Sequence, residues 1–91
     1  MANRGEVDAA RRVLEKATAQ CPGEAAGWRE LAGLDALSRN WPRAADNARR
    51  ALSADGSDEH AARILATSLF LEGDAIGALR AWKARGVALH P

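Results

Sequence analysis

The sequence predicts an all-α fold of five helices stacked as antiparallel hairpins. Three observations predict it. Apolar and small residues recur at helical spacing along most of the chain, and no stretch shows the two-residue alternation of a strand. The periodic segments are parted by short linkers rich in Pro, Gly, Asn and Asp, which force sequential helices to lie antiparallel. Displaced by 34 residues, the chain also lines up with itself. Gly5, Arg39 and Gly73 coincide, then Glu6, Asn40 and Asp74, then Ala10, Ala44 and Ala78. The same offset pairs Glu24 with Asp58, Arg29 with Arg63, Leu31 with Leu65, Ala32 with Ala66 and Leu37 with Leu71. A period of that length, carried by small and apolar positions, marks a helical repeat array.

Each element has its own signal. The first helix spans 6–20, with Val7, Ala10, Leu14 and Ala17 on one face. Cys21-Pro22-Gly23 stops it, because proline cannot continue a helix and glycine tolerates the left-handed turn. The second spans 24–38 and places Trp28, Leu31, Ala32 and Asp35 together. Arg39-Asn40 breaks it, and Pro42 suits the first turn of the third helix, where no N–H is needed. That helix carries Ala44, Ala45, Ala48, Ala51 and Leu52, and ends at Ala54-Asp55-Gly56. Ser57 or Asp58 can cap the fourth, which runs to Leu71 through Ala62, Leu65, Ala66 and Leu69. Asp74 caps the fifth, which sets Ala75, Ala78, Leu79 and Trp82 on one face and is expected to reach about Arg85. Gly86 ends it, and 87–91 form a frayed tail.

Composition narrows the function classes. Ninety-one residues suffice for one small domain with a thin core. Eleven arginines and two lysines balance twelve acids to a net charge of +1, interleaved in sign rather than gathered in a basic stripe. That pattern fits solvated helix faces and speaks against nucleic-acid binding. One cysteine, Cys21, excludes an intrachain disulfide and is too few for a zinc site. His60 and His90 have no metal-ligand spacing to each other or to Cys21. No run approaches a membrane span, and Met-Ala-Asn-Arg-Gly-Glu leads into a charged helix rather than a signal peptide, so a cytoplasmic chain is expected. There is no Gly-rich phosphate loop, nucleophile elbow or His-Glu-x-x-His helix, so no enzyme and no cofactor is expected. The richness in alanine and arginine suggests a GC-rich, bacterial source.

Trp28-x-x-Leu31-Ala32-x-x-Asp35, followed by Ala44, Ala48, Ala51 and Gly56, resembles the tetratricopeptide repeat motif. Ala62-x-x-Leu65-Ala66-x-x-Leu69, with Gly73-Asp74, Ala78 and Trp82, resembles a second copy. The resemblance implies a right-handed superhelix of about two and a half repeats in one domain over 1–91. It would comprise an unpaired second helix (6–20), full repeats at 24–54 and 58–86, and the tail. Two positions depart from the motif. Asp35 stands where the family prefers an aromatic and Ala48 where it prefers a bulky ring, which implies thinner packing between the middle helices.

The resemblance further implies a groove lined by the first helix of each hairpin. Carried over position by position, that face holds Arg29, Gly33, Ala36 and Leu37, then His60, Arg63, Thr67, Phe70 and Leu71. Arg29 and Arg63 can grip a carboxylate or an acidic peptide; the blander reading pairs them with Glu30, Asp58 or Glu59. Gly33 and Thr67 occupy sites where the family's carboxylate clamp uses asparagines, which argues against that clamp. Phe70 and Leu71 are either hydrophobic anchors for a peptide or part of the packing. Trp28 and Trp82 read as core, and Trp41, just ahead of Pro42, either staples the hairpin turn or sits half exposed. Cys21 reads as inert, with no basic cluster to activate it.

Neither end carries a polar capping helix. Ile76, Leu79 and Trp82 on the last helix are left uncovered and read as an assembly end. Three explanations stand: a fragment of a longer repeat array, end-to-end homodimerisation, or a host protein supplying the missing helix. The expected function is a non-catalytic protein–protein interaction module that binds a peptide or partner helix. The alternative is a structural spacer or oligomerisation element within a larger bacterial protein or complex.

Overall fold

The structure, a computed structural model, describes residues 4–83. Among the described residues the chain is all helix and turn: α1 Arg4–Gln20, α2 Ala25–Leu37, α3 Trp41–Ala54, α4 Glu59–Leu71 and α5 Ala75–Lys83. The expected end of the last helix near Arg85, Gly86 and the tail lie outside the described residues. Each helix packs on the next, and α2 also packs on α4, whereas the α1 and α3 backbones stay apart and meet through long side chains such as Glu15 and Arg43, 3.8 Å apart. The shortest dimension is 19 Å, about two helix diameters. The result is a two-layer stack with α2 and α4 in one layer and the odd-numbered helices in the other.

The 34-residue period is written into the turns. At the end of α2, the Asn40 N–H donates to the Asp35 carbonyl at 2.8 Å and the Arg39 N–H to Ala36 at 3.0 Å. At the end of α4, Asp74 and Gly73 make the same two bonds to Leu69 and Phe70, at 2.8 and 3.0 Å. This crossed pair closes a helix through a residue with positive φ. Arg39 has φ 58° and Gly73 has φ 92°. The next residue then opens the following helix. The Asn40 side chain accepts from the Arg43 N–H, and Asp74 Oδ1 accepts from the Gly77 N–H at 2.8 Å. One residue thus ends one helix and caps the next, which keeps these linkers short. The other turns repeat likewise, with Cys21 N–H to Ala17 and Glu24 N–H to Cys21 matched by Asp55 to Ala51 and Asp58 to Asp55.

The core is built around alanine. Ala44, Ala45, Ala48 and Ala51 form the buried face of α3, so its backbone lies close to both α2 and α4. Leu31, Leu65 and Leu69 are the large apolar side chains buried with them, each worth about 1.5–3 kcal/mol of burial. Ala48 therefore does give close, thin packing. Asp35 does something the motif did not foretell. It is fully buried, with Arg11 Nη2 of α1 2.7 Å from its Oδ1 and Asn47 of α3 donating to its Oδ2 at 2.7 Å. The arginine approaches off the line of a hydrogen bond, so Oδ1 and Arg11 Nη1 are left without hydrogen-bond partners while the ion pair itself is short. One carboxylate ties three helices together.

Candidate functional site

A groove of about 540 Å³ opens between α1, α2 and α4. Its walls are aliphatic: Ala10 and Leu14 from α1, Leu34 and Leu37 from α2, and Ile64 from α4. Gly33 forms part of the lining, and a methyl group built on it would meet nothing within 4 Å. Glu30 and His60 supply a carboxylate and an imidazole at the margin. An apolar trough with a few polar groups along its edge suits the side chains of an amphipathic segment. Leu37 is well exposed and takes no part in the core.

The residues expected to share one binding face are divided by the structure. Leu37 and His60 line this groove. Arg63 and Thr67 border a smaller cleft of about 230 Å³ with Ala36 and Trp41. Phe70 and Leu71 are exposed and line neither cleft. The two equivalent arginines also differ. Arg29 Nη1 donates to Asp58 Oδ2 at 3.0 Å, joining α2 to the start of α4. Asp58 is buried there and its other oxygen accepts from the Ala61 N–H at 3.0 Å. Arg63, in contrast, is exposed and makes no ion pair or hydrogen bond in the described structure.

Sequence reasoning missed Ala10 and Leu14 as groove walls. Their counterparts one period on, Ala44 and Ala48, are fully buried, whereas Ala10 and Leu14 remain half-buried. The period says which positions correspond; only the packing says which of them are covered. The tryptophans are half-buried rather than deep in the core. Trp28 donates through Nε1 to the Pro22 carbonyl at 2.9 Å, and the Arg50 guanidinium lies 5.0 Å from its ring centroid. Trp28 therefore fastens the α1–α2 turn against α3. Ile76 and Leu79 are exposed and Trp82 is half-buried. Among the described residues, no group of three His, Cys, Asp or Glu side chains could hold a metal ion, and no helix is long and apolar enough to cross a membrane. His90 lies outside the described residues.

These features first define a class, a stack of antiparallel helix pairs in a single 34-residue register. Comparison adds a likeness over the first part of the chain. A tetratricopeptide repeat family model matches residues 1–34, which hold α1, its turn and α2 as far as Leu34. Over those residues the chain is similar to a tetratricopeptide repeat, and the all-helical stack is consistent with that family, whose general role is protein–protein interaction. No curated protein and no solved structure matches the chain.

Proposed function

We propose that the chain is a non-catalytic interaction module that seats a partner segment in the groove between α1, α2 and α4. The half repeat of α1 and the two full repeats that follow form one binding unit in this reading. The observation that carries it is the open aliphatic trough beside Leu37, in a fold otherwise closed by buried alanines. The trough has no aromatic wall and no strong charge cluster. Its partner therefore contributes aliphatic side chains, with polar groups placed for Glu30 and His60 at the margin.

A displayed library of random peptides selected on the full chain tests this. The selected peptides carry an aliphatic anchor and lose about tenfold or more in affinity against Leu37→Asp, because a buried unpaired charge is costly. Leu37 is exposed, so that variant keeps its helical circular dichroism. Peptides that bind wild type and Leu37→Asp equally well would sink the groove reading.

A further inference from the structure

A pocket of about 350 Å³ opens on the outer layer between α1 and α3, with α2 beneath it. The buried Leu31 and the half-buried Trp28 form its floor, and the exposed Arg43 and Arg50 stand on its α3 side. Seven residues apart on one helix, the two arginines share a face and lie about 10 Å apart along it. Each has an acid beside it, but loosely. Glu15 lies 3.8 Å from Arg43 and Asp46 3.5 Å from Arg50, with half or more of each side chain in water. Such exposed pairs are worth little. Among the described residues neither guanidinium donates a hydrogen bond. Arg50 is nonetheless held in place, its guanidinium 5.0 Å from the Trp28 ring centroid. Stacking uses the face of the guanidinium and leaves the N–H groups along its edge free for a ligand.

The pocket is not a product of the repeat. One period on, Trp28, Arg43, Asp46 and Arg50 become Ala62, Gly77, Arg80 and Ala84, whereas the packing residues Leu31 and Ala44 recur as Leu65 and Ala78. The stack therefore does not need this set of side chains between neighbouring helices of its outer layer. Charge around the pocket is also one-sided. The signs alternate along the chain, but folding sets 11–16 of α1 beside 43–50 of α3. Over those stretches Arg11, Arg12, Lys16, Arg43, Arg49 and Arg50 stand against Glu15 and Asp46. Arg11 is engaged with the buried Asp35, and an excess of positive charge remains.

From this arrangement we infer that the pocket between α1 and α3 docks an acidic helix of a partner protein, whose carboxylates seven positions apart bind Arg43 and Arg50. A helix sets such residues on one face about 10 Å apart, the spacing of the two arginines. A strand would set same-face residues about 7 or 13 Å apart, which matches neither. An aliphatic side chain three positions after the first acid lies on the same face and enters the pocket over Leu31 and Trp28. Carboxylates take charge-assisted, bidentate bonds from guanidinium groups, and the stack on Trp28 has already restricted Arg50, so less freedom is lost on binding. A cationic partner would have to displace Arg50 from Trp28 against the surrounding positive charge. Helices added before α1 or after α5 in the register of the stack would pack on its outer faces and leave the space between α1 and α3 as it is. Residues 84–91 contain no Asp or Glu and do not supply the pair of acidic side chains. The pocket shares no lining residue with the α1–α2–α4 groove, and the inference does not rest on that groove.

The test titrates alanine-based helical peptides, with Glu at positions i and i+7 and Leu at i+3, against the full chain by fluorescence anisotropy. Affinity falls about tenfold or more for Arg43→Glu and for Arg50→Glu, as expected when a charge-assisted contact becomes a repulsion. It returns when one Glu of the peptide is replaced by lysine. Arg50→Lys keeps the charge but gives up the flat stack on Trp28, and weakens binding severalfold. A peptide with Glu at i and i+5 has the same charge on two different helix faces and binds about tenfold more weakly. Leu37→Asp leaves binding unchanged, which separates this result from that of the aliphatic groove. Arg43 and Arg50 are exposed, so their reversal leaves the helical circular dichroism intact. No binding of the i, i+7 peptide, equal binding of the i, i+5 peptide, or indifference to both reversals would overturn the inference. So would tighter binding of a single-stranded RNA oligonucleotide that is lost in the same variants, which would assign the arginines to nucleic acid. Dimers in sedimentation that dissociate in Arg50→Glu would likewise overturn it, in favour of a second copy of the chain.

Discussion

Asp58 holds Arg29 with one carboxylate oxygen and the first turn of α4 with the other, each at 3.0 Å. The two contacts join adjacent repeats at the point where the second begins. A carboxylate shared in this way links the capping of a helix to the seating of that helix on its neighbour.

Asp58→Ala therefore removes both contacts, and unfolding in urea is expected to show a loss of about 2 kcal/mol, of which the cap contributes about half. The Arg29 part is modest, because a third of that side chain meets water. Asp58→Asn keeps an acceptor for the Ala61 N–H and gives up the charge, so it costs about 1 kcal/mol or less. Equal losses from the two variants would show that the cap does no stabilising here.

The Arg11–Asp35–Asn47 cluster predicts an asymmetry of a different kind. Arg11→Met strands a fully buried carboxylate with a single amide donor, and a loss of about 3 kcal/mol is expected. Asp35→Leu removes the buried charge instead and leaves Arg11, still in touch with solvent, to turn outward. That variant stays within about 1 kcal/mol of wild type, since replacing a buried charge by apolar volume is often close to neutral. Denaturant midpoints on the two variants decide it, and the reverse order would discard the desolvation account.

How much of this was legible in the sequence follows from what repeats and what does not. The helices and their turns were legible, because caps and helix stops are local and recur at one offset; Arg39 fell opposite Gly73 before any φ angle was known. The Asp35 cluster was not. Shifted by one period, Arg11 and Asp35 become Ala45 and Leu69, so the cluster occurs once and no pattern announces it. The candidate site was legible only in part. Periodicity made Arg29 and Arg63 equivalent, yet α4 covers the face of one and nothing among the described residues covers the face of the other. Leu37 and His60 line the groove from exposed helix faces, which the helical spacing already indicated. Ala10 and Leu14 look like core residues, and they line the groove only because no described helix covers α1 as α2 covers α3.

The left-handed turn residues give the most direct test of the period as a structural rule. Arg39 and Gly73 occupy the same step of the same crossed hydrogen-bond pair, at φ 58° and 92°. A side chain at positive φ brings its Cβ against the following carbonyl, at a cost of about 1–2 kcal/mol that glycine escapes. Arg39→Gly is expected to raise stability by about 1 kcal/mol, the backbone relief being offset in part by the greater freedom of glycine in the unfolded chain. Gly73→Ala is expected to lower it by a similar amount. Nothing lies within 4 Å of a Cβ built at Gly73, so that loss comes from the backbone angle and not from a collision. Thermal or urea unfolding of both variants measures the pair. Opposite signs of similar size support a common turn geometry; a loss in Arg39→Gly would mean that the arginine side chain, not its backbone, holds that turn.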